Sequence, residues 1–271
     1  HKKNVLGYSR LQILYVISFF VAPLIICIFI PSYQSRIIAL VTGLLFVNFF
    51  IVKQNPSLKN NLHLSDLLLE TKRAIRFGFP IIATAFLAWF KFGLDLQFLK
   101  QEGGYFYAGN LTLAFQIMTV VSILGALITR NLTPKLYILY KENNSKEFFK
   151  NIINYGFFVV IFGILVLSLL PLLKVYLPEF SLSSKYGFWM ILSAMVMVFA
   201  QFFATLFLYL EKTNHIFIFS FISSAIHPLV TYNIISHLDS SYIGISYLIS
   251  SFIYFLLMYV AFLKFRKRVF T

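Results

Sequence analysis

Long apolar stretches, each separated from the next by a short polar segment, follow one another along most of the chain. A helix needs roughly 20 mostly apolar residues to cross the hydrocarbon core of a bilayer. Eight stretches reach or approach that length: Leu11–Ile30, Arg36–Val52, Phe77–Phe98, Ala108–Arg130, Ile152–Leu173, Tyr186–Leu210, His215–Ser236 and Tyr242–Leu263. The pattern predicts an all-α integral membrane protein with about eight transmembrane helices.

The composition agrees with a protein whose solvent is largely lipid. Hydrophobic residues make up 59% of the chain and charged residues 12%, whereas a soluble domain carries about a quarter charged residues. A soluble fold of this composition would expose large apolar patches, which soluble monomers avoid. The net charge of +14 would suggest nucleic-acid binding in a soluble protein. Here the charges lie between apolar stretches, so we attribute them to orientation in the membrane and predict no nucleic-acid partner.

The basic residues are distributed unevenly between the loops. If the N-terminus is cytoplasmic, most of the 23 Lys and Arg residues fall on the cytoplasmic side of the eight predicted helices. The outer segments then hold only Arg36, Lys100, Lys174 and Lys185. Because this asymmetry follows the positive-inside rule, we predict a multi-pass protein with both termini in the cytoplasm.

The longest polar segment, Lys53–Arg76, separates two predicted helices from the six that follow. Its proline, asparagines and leucines are typical of an amphipathic linker on the membrane surface. The predicted parts are therefore residues 1–52, a cytoplasmic linker at 53–76 and a six-helix part at 77–271. The sequence contains no soluble-enzyme motif and no metal-ligand pair at helical spacing, so we predict no catalytic residue, metal or cofactor.

Two ionisable residues lie deep in the third predicted span. Lys91 follows Arg76 by 15 residues, or roughly 22 Å of helix rise, which places it beyond the middle of the bilayer. Asp95 is one turn further on the same face and is placed to pair with Lys91. Charges at this depth usually face a cavity or a partner. The alternative is that Lys91 extends outward to a lipid headgroup while Asp95 reaches the outer interface.

Arg130 and His227 are the other ionisable candidates. Arg130 lies near the cytoplasmic end of its span, where an interfacial anchor and a ligand-binding role fit equally well. His227 lies within the seventh span, directly before Pro228. A buried structural contact is favoured for His227, and a proton site is the alternative.

Five short motifs follow one another in the predicted six-helix part. They are Arg76-Phe-Gly78-Phe-Pro80 with Trp89 and Asp95 beyond it, Gly104-Tyr-Phe-Tyr107-Ala108, Thr133-Pro134-Lys135-Leu-Tyr137, Tyr209-Leu-Glu-Lys212-Thr-Asn and Tyr242-Ile-Gly244-Ile-Ser. In order and spacing they resemble the second lobe of polysaccharide (O-antigen type) flippases. The chain departs from that family after Asp95, where Leu96 replaces the usual basic residue.

The resemblance implies a two-lobe transporter of the multidrug/oligosaccharidyl-lipid/polysaccharide superfamily. The chain would supply the last two helices of the first lobe and a complete second lobe, with about four helices expected before His1. The implied function is flipping of a polyprenyl-pyrophosphate-linked oligosaccharide across the bacterial cytoplasmic (inner) membrane for cell-surface polysaccharide synthesis.

The flippase hypothesis gives each candidate residue a role. Lys91 and Arg130 would attract the phosphates, and Trp89 and Tyr107 would stack on sugars near the outer mouth. Asp95 would orient Lys91 or take part in coupling to a cation, either a proton or sodium. The expected partners are the lipid-linked oligosaccharide and membrane lipids.

Three other functions fit parts of the sequence. A drug/cation antiporter of the same superfamily would need more acidic residues in its cavity, and Asp95 is the only acidic residue within the eight predicted spans. A membrane-embedded polysaccharide polymerase or glycosyltransferase would need a large outer loop or an Asp pair. A non-catalytic scaffold or degenerate fragment is the third alternative.

Overall fold

The computed structural model of the protein describes residues 41–42, 64–176 and 178–269. The chain divides into two compact units, His1–Arg73 and Ala74–Thr271, and apart from the first turns of α1 the features below belong to the second unit. The first predicted span and all of the second except Val41 and Thr42 lie outside the described residues. The helices are α1 (Leu64–Lys141), α2 (Ser145–Tyr176), α3 (Ser181–Tyr209), α4 (Thr213–His237) and α5 (Gly244–Val269), with short 3₁₀ turns at Pro178–Phe180 and Ser240–Tyr242.

The prediction of an all-α membrane protein is confirmed at the level of its helices. The part of the chain that the structure describes contains no strand, and five of its helices are long and apolar enough to cross a membrane. Large apolar side chains are exposed on the outer faces of these helices, as a lipid solvent requires. Examples are Ile82, Phe157, Ile164, Val175 and Leu229.

Helix α1 is a hairpin of two arms, broken at Gly103 and Gly104. Gly103 has φ −136° and ψ 18°, and Gly104 has φ 71° and ψ −158°. The rings of Phe92 and Phe115 lie 4.3 Å apart between centroids, although 23 residues of straight helix would separate them by about 35 Å. The chain therefore folds back at the glycines. The arms, α1a (64–102) and α1b (105–141), contain the third and fourth predicted spans.

Replacing Gly104 with alanine is expected to lower the free energy of unfolding by about 1–2 kcal/mol. Its backbone conformation is one that essentially only glycine adopts without strain. Unfolding by sodium dodecyl sulfate in mixed micelles, followed by circular dichroism, measures the change. Gly109→Ala is the matched control, because Gly109 is helical and an added methyl group there meets open space. An unchanged stability in Gly104→Ala would contradict a strained turn.

Helix α3 forms the centre of the bundle. It packs against α2 on one side and α5 on the other, and Met190, Ile191 and Phe202 on it are fully buried. Serine side chains join α3 to α5 within this apolar core. The Ser193 hydroxyl lies 2.7 Å from that of Ser251 and donates to the carbonyl oxygen of Tyr247 at 3.1 Å. These contacts fix the register of α5, which carries part of the polar cluster described next.

Candidate functional site

A buried carboxylate joins α1a to α4 in the interior of the bundle. Asp95 on α1a is fully buried, and its Oδ2 lies 2.8 Å from His227 Nε2. The Thr231 hydroxyl donates to Asp95 Oδ1 at 3.1 Å. His227 and Thr231 are also fully buried and lie four residues apart on α4, so both face the same side of that helix. Each carboxylate oxygen therefore has a partner from α4.

His227 also contacts α5 through its second ring nitrogen. Nδ1 lies 3.3 Å from the hydroxyl oxygen of Ser250, and the imidazole ring meets Tyr247 edge to face with centroids 4.6 Å apart. The Ser223 hydroxyl donates to the Ser250 carbonyl oxygen at 2.7 Å and holds α4 and α5 together at this level. His227 is therefore placed between the carboxylate of α1a and the hydroxyl of α5.

Lys91 points into the same cluster. Its Nζ donates to Ser250 Oγ at 3.3 Å and lies 5.8 Å from the centroid of the Tyr247 ring. The expected pairing of Lys91 with Asp95 is not a direct hydrogen bond in the structure, although the charge of Asp95 still acts on Lys91. His227 and Thr231 from α4 bind the two oxygens of Asp95, and the Lys91 ammonium donates to the hydroxyl of Ser250 instead.

The hydrogen bonds constrain where the protons lie. With Asp95 ionised, its carboxylate only accepts hydrogen bonds, so His227 Nε2 then carries a hydrogen and donates to it. At Nδ1 two arrangements are possible, because the Ser250 hydroxyl is also within 3.1 Å of the Tyr247 carbonyl oxygen. A neutral His227 accepts from Ser250, whereas a protonated His227 donates to Ser250, whose hydroxyl then donates to Tyr247. Ser250 can therefore satisfy His227 in either protonation state.

The cluster brings together two of the five residues predicted to form the site. Lys91 and Asp95 meet in it, and Arg130 does not, because it is exposed on α1b. Lys91 lies 12 residues from the turn, or about 18 Å along α1a, and Arg130 lies 26 residues from it, or about 39 Å along α1b. A difference of about 20 Å in height along antiparallel arms prevents both from binding one phosphate.

The two aromatic candidates also lie outside the cluster. Trp89 is 68% exposed and lies beside Phe86, with ring centroids 6.1 Å apart, on the outer face of α1a. Tyr107 is half-buried close to the Gly103–Gly104 turn, where its ring lies against Gly103 and 5.9 Å from the Phe106 ring. The structure therefore does not place either ring beside Lys91 or Asp95.

Thr231 and Ser250 are members of the cluster that the sequence did not assign to a site, and His227 was considered a proton site only as the alternative to a structural contact. The one signal for them is a histidine inside an apolar stretch followed by a threonine one turn later. His227 is 132 residues from Asp95, and Ser250 is 23 residues from His227. No spacing rule along the chain relates residues so far apart, so their contact depends on how the helices pack.

The turn between α4 and α5 is capped by Asp239. Its Oδ1 accepts from the Ser241 backbone N–H at 2.9 Å and from the Ser240 hydroxyl at 3.4 Å. The hydrogen bond from the Ser241 backbone holds the pKa of Asp239 below its ordinary value of 3.8. Because the folded pKa is lowered, the stabilisation is present above 3.8 and is lost as the pH falls through the folded value.

Asp239→Ala is expected to lower the free energy of unfolding at pH 7 by about 0.5–1 kcal/mol, the cost of losing an exposed cap. Unfolding titrations of both proteins at pH 7 and in acid measure the difference. The difference in free energy of unfolding between the two proteins should become smaller below pH 3.8, because protonation of the wild-type carboxylate weakens its cap. A stability difference that stays constant into strong acid would show that the charged carboxylate of Asp239 is not what stabilises the turn.

Comparisons with known proteins give no match to this chain. No family model, no curated protein and no solved structure is similar to it. Among the described residues, no group of three or more His, Cys, Asp or Glu side chains is arranged to hold a metal ion.

Proposed function

We propose that the protein is a membrane transporter that flips a polyprenyl-pyrophosphate-linked oligosaccharide across the bacterial inner membrane. The observation that carries this proposal is the cluster of Lys91, Asp95 and His227 among helices apolar enough to span a membrane. Ionisable groups are costly in such surroundings and usually mark a path for a substrate or a proton. The ordered motifs from Arg76 onward, which resemble polysaccharide flippases, supply the substrate class.

The cluster offers a charge that can change during transport. With His227 protonated, Lys91 and His227 carry two positive charges against one negative charge on Asp95. After loss of the proton the cluster is neutral overall. Ser250 can satisfy the ring of His227 in both protonation states, because its hydroxyl can donate either to Nδ1 or to the Tyr247 carbonyl oxygen. The protonated form favours an anionic pyrophosphate beside Lys91, and loss of the proton favours its release.

The finer architecture is also part of the proposal. Eight helices with both termini in the cytoplasm would form the last two helices of one lobe and a complete second lobe. In such a transporter the two lobes would rock around a site near the bilayer midplane. The basic residues of the loops support this orientation.

A drug/cation antiporter of the same superfamily is the second candidate. The observation that favours it is an acidic side chain, Asp95, among helices apolar enough to span a membrane, where ionisable groups usually mark a path for a substrate or an ion. The two candidates differ in the charge of the substrate. An antiporter would export small cations such as ethidium in exchange for protons, whereas the flippase would move a pyrophosphate-linked lipid.

The test is a flipping assay on the purified full-length protein in proteoliposomes. A fluorescent polyprenyl-pyrophosphate trisaccharide is reconstituted with it, and transfer is measured with a quencher that does not cross the membrane. We expect transfer well above that of protein-free vesicles. Lys91→Ala should slow it about tenfold, the effect of losing a hydrogen bond to a charged group. Lys146→Ala, an exposed lysine at the start of α2, is the control.

Two outcomes would contradict the proposal. Transfer no faster than in protein-free vesicles would exclude the flippase function, and proton-driven ethidium transport in the same vesicles would then favour the antiporter. Normal transfer in Lys91→Ala would remove Lys91 from the substrate site while leaving the function itself intact.

A further inference from the structure

A cavity lies between the beginning of α4 and the end of α5, and none of its lining residues belongs to the Asp95 cluster. Its volume is about 340 Å³. The residues that line it are His215, Phe219, Leu257, Val260, Ala261, Lys264 and Phe265. The two lining residues on α4, His215 and Phe219, are one turn apart, and those on α5 extend over two turns. The cavity is therefore a groove between two helices at one end of the bundle.

The end of the groove is basic. Lys264 and His215 line it, and Lys212 Nζ lies 3.6 Å from the centroid of the Phe265 ring in its wall. His215 Nδ1 is buried and has no hydrogen-bond partner among the described residues. Lys212 is also the N-cap of α4 and makes no side-chain capping hydrogen bond. The N-terminus of α4 carries the positive end of the helix dipole, which adds to the charge of the two lysines.

The rest of the groove is apolar and continues along the outside of α5. Phe219 and Leu257 line the cavity, and Val260 on its wall is 47% exposed. Val260 continues a stripe at four-residue spacing, with Leu256 41% exposed and Phe252 50% exposed. Residues at this spacing lie on one face of a helix. An apolar track of about 12 Å therefore extends from the basic end toward the middle of α5.

We infer that this groove binds an acidic phospholipid. The headgroup phosphate lies against Lys264, His215 and Lys212, and an acyl chain follows the stripe from Val260 to Phe252. Charge complementarity selects an anionic headgroup, and the apolar track selects a lipid over a free phosphate ion. Basic pockets between membrane helices have this affinity because phosphate and cationic side chains meet in a poorly solvated place. The site does not depend on the transported substrate.

The test is native mass spectrometry of the full-length protein released from detergent containing dioleoyl phosphatidylglycerol or dioleoyl phosphatidylcholine. We expect wild-type protein to retain the anionic phosphatidylglycerol in preference to the zwitterionic phosphatidylcholine. Lys264→Gln should weaken retention about fivefold, the effect of one lysine near an anionic lipid surface, and Lys264→Arg should preserve it. Lys146→Gln is the matched control, an exposed lysine that does not line the groove.

A second variant and a competition experiment distinguish a lipid site from a site for free phosphate. His215→Gln provides a second variant that weakens retention if Lys264→Gln does not fold. Glycerol 3-phosphate without acyl chains should not displace the lipid at equal concentration. Displacement by it would show a phosphate site instead of a lipid site and would overturn the inference. Equal retention of both lipids, or equal loss of retention in Lys264→Gln and Lys146→Gln, would also overturn it.

Discussion

Asp95→Ala is expected to lower the free energy of unfolding by about 3 kcal/mol, the typical cost of removing one partner from a buried charged pair. The alanine leaves His227 Nε2 and the Thr231 hydroxyl without their acceptor in a region that water does not reach. It also removes the negative charge nearest to Lys91 along α1a. Each of these losses acts on a polar group in the interior of the bundle, where a missing partner is costly.

The measurement is an unfolding titration in mixed micelles, followed by fluorescence of the two tryptophans and by circular dichroism. Asp95→Asn should cost less than the alanine variant, because the amide keeps an acceptor oxygen for Thr231. Glu102→Ala, an exposed carboxylate at the end of α1a, should change stability by no more than about 0.5 kcal/mol. An Asp95→Ala protein as stable as the Glu102→Ala control would refute the structural role of the pair.

Gly244→Val is expected to lower the free energy of unfolding by about 2 kcal/mol or more. A Cβ at Gly244 would lie 2.7 Å from the Tyr186 carbonyl oxygen and 2.8 Å from Trp189 Cβ. The carbonyl belongs to the backbone of α3 and cannot turn aside, so α5 would have to move away from α3 at its first turn. That displacement would loosen the packing on which the position of Ser250 depends.

The same unfolding titration measures this effect, with Gly109→Val as the matched control. A Cβ added at Gly109 meets nothing within 4 Å, so valine there should be tolerated better than at Gly244. If Gly244→Val and Gly109→Val unfold at the same denaturant concentration, the close approach of α5 to α3 is not what requires glycine at 244.

The helices were the most predictable part of the protein. The spans Phe77–Phe98 and Ala108–Arg130 lie in the two arms of α1, because hydrophobic length is a local property that the bilayer alone sets. The fold-back between them agrees with the glycine pair at 103 and 104. The predicted count of eight helices and the two lobes stay predictions, since most of the residues before 64 lie outside the described part of the chain.

Only those parts of the candidate site that lie on a single helix could be predicted from the sequence. The four-residue spacing of Lys91 and Asp95 correctly put them on one side of α1a. Their actual partners, His227 and Ser250, come from other helices, and long-range packing decides which polar groups meet. Arg130 was grouped with Lys91 because both are basic residues in neighbouring spans. Their different distances from the turn, which depend on helix length, keep them apart.

The central claim is that transport depends on the Asp95–His227 pair, and the most direct test is a double-mutant cycle of flipping rates. Asp95→Asn, His227→Gln and the double variant are compared with wild-type protein in proteoliposomes under an imposed pH gradient. If the pair acts as a unit, each single variant should lose at least about tenfold in rate, and the double variant should be no slower than the slower single variant. A well-folded single variant that keeps the wild-type rate and its response to the pH gradient would contradict the claim.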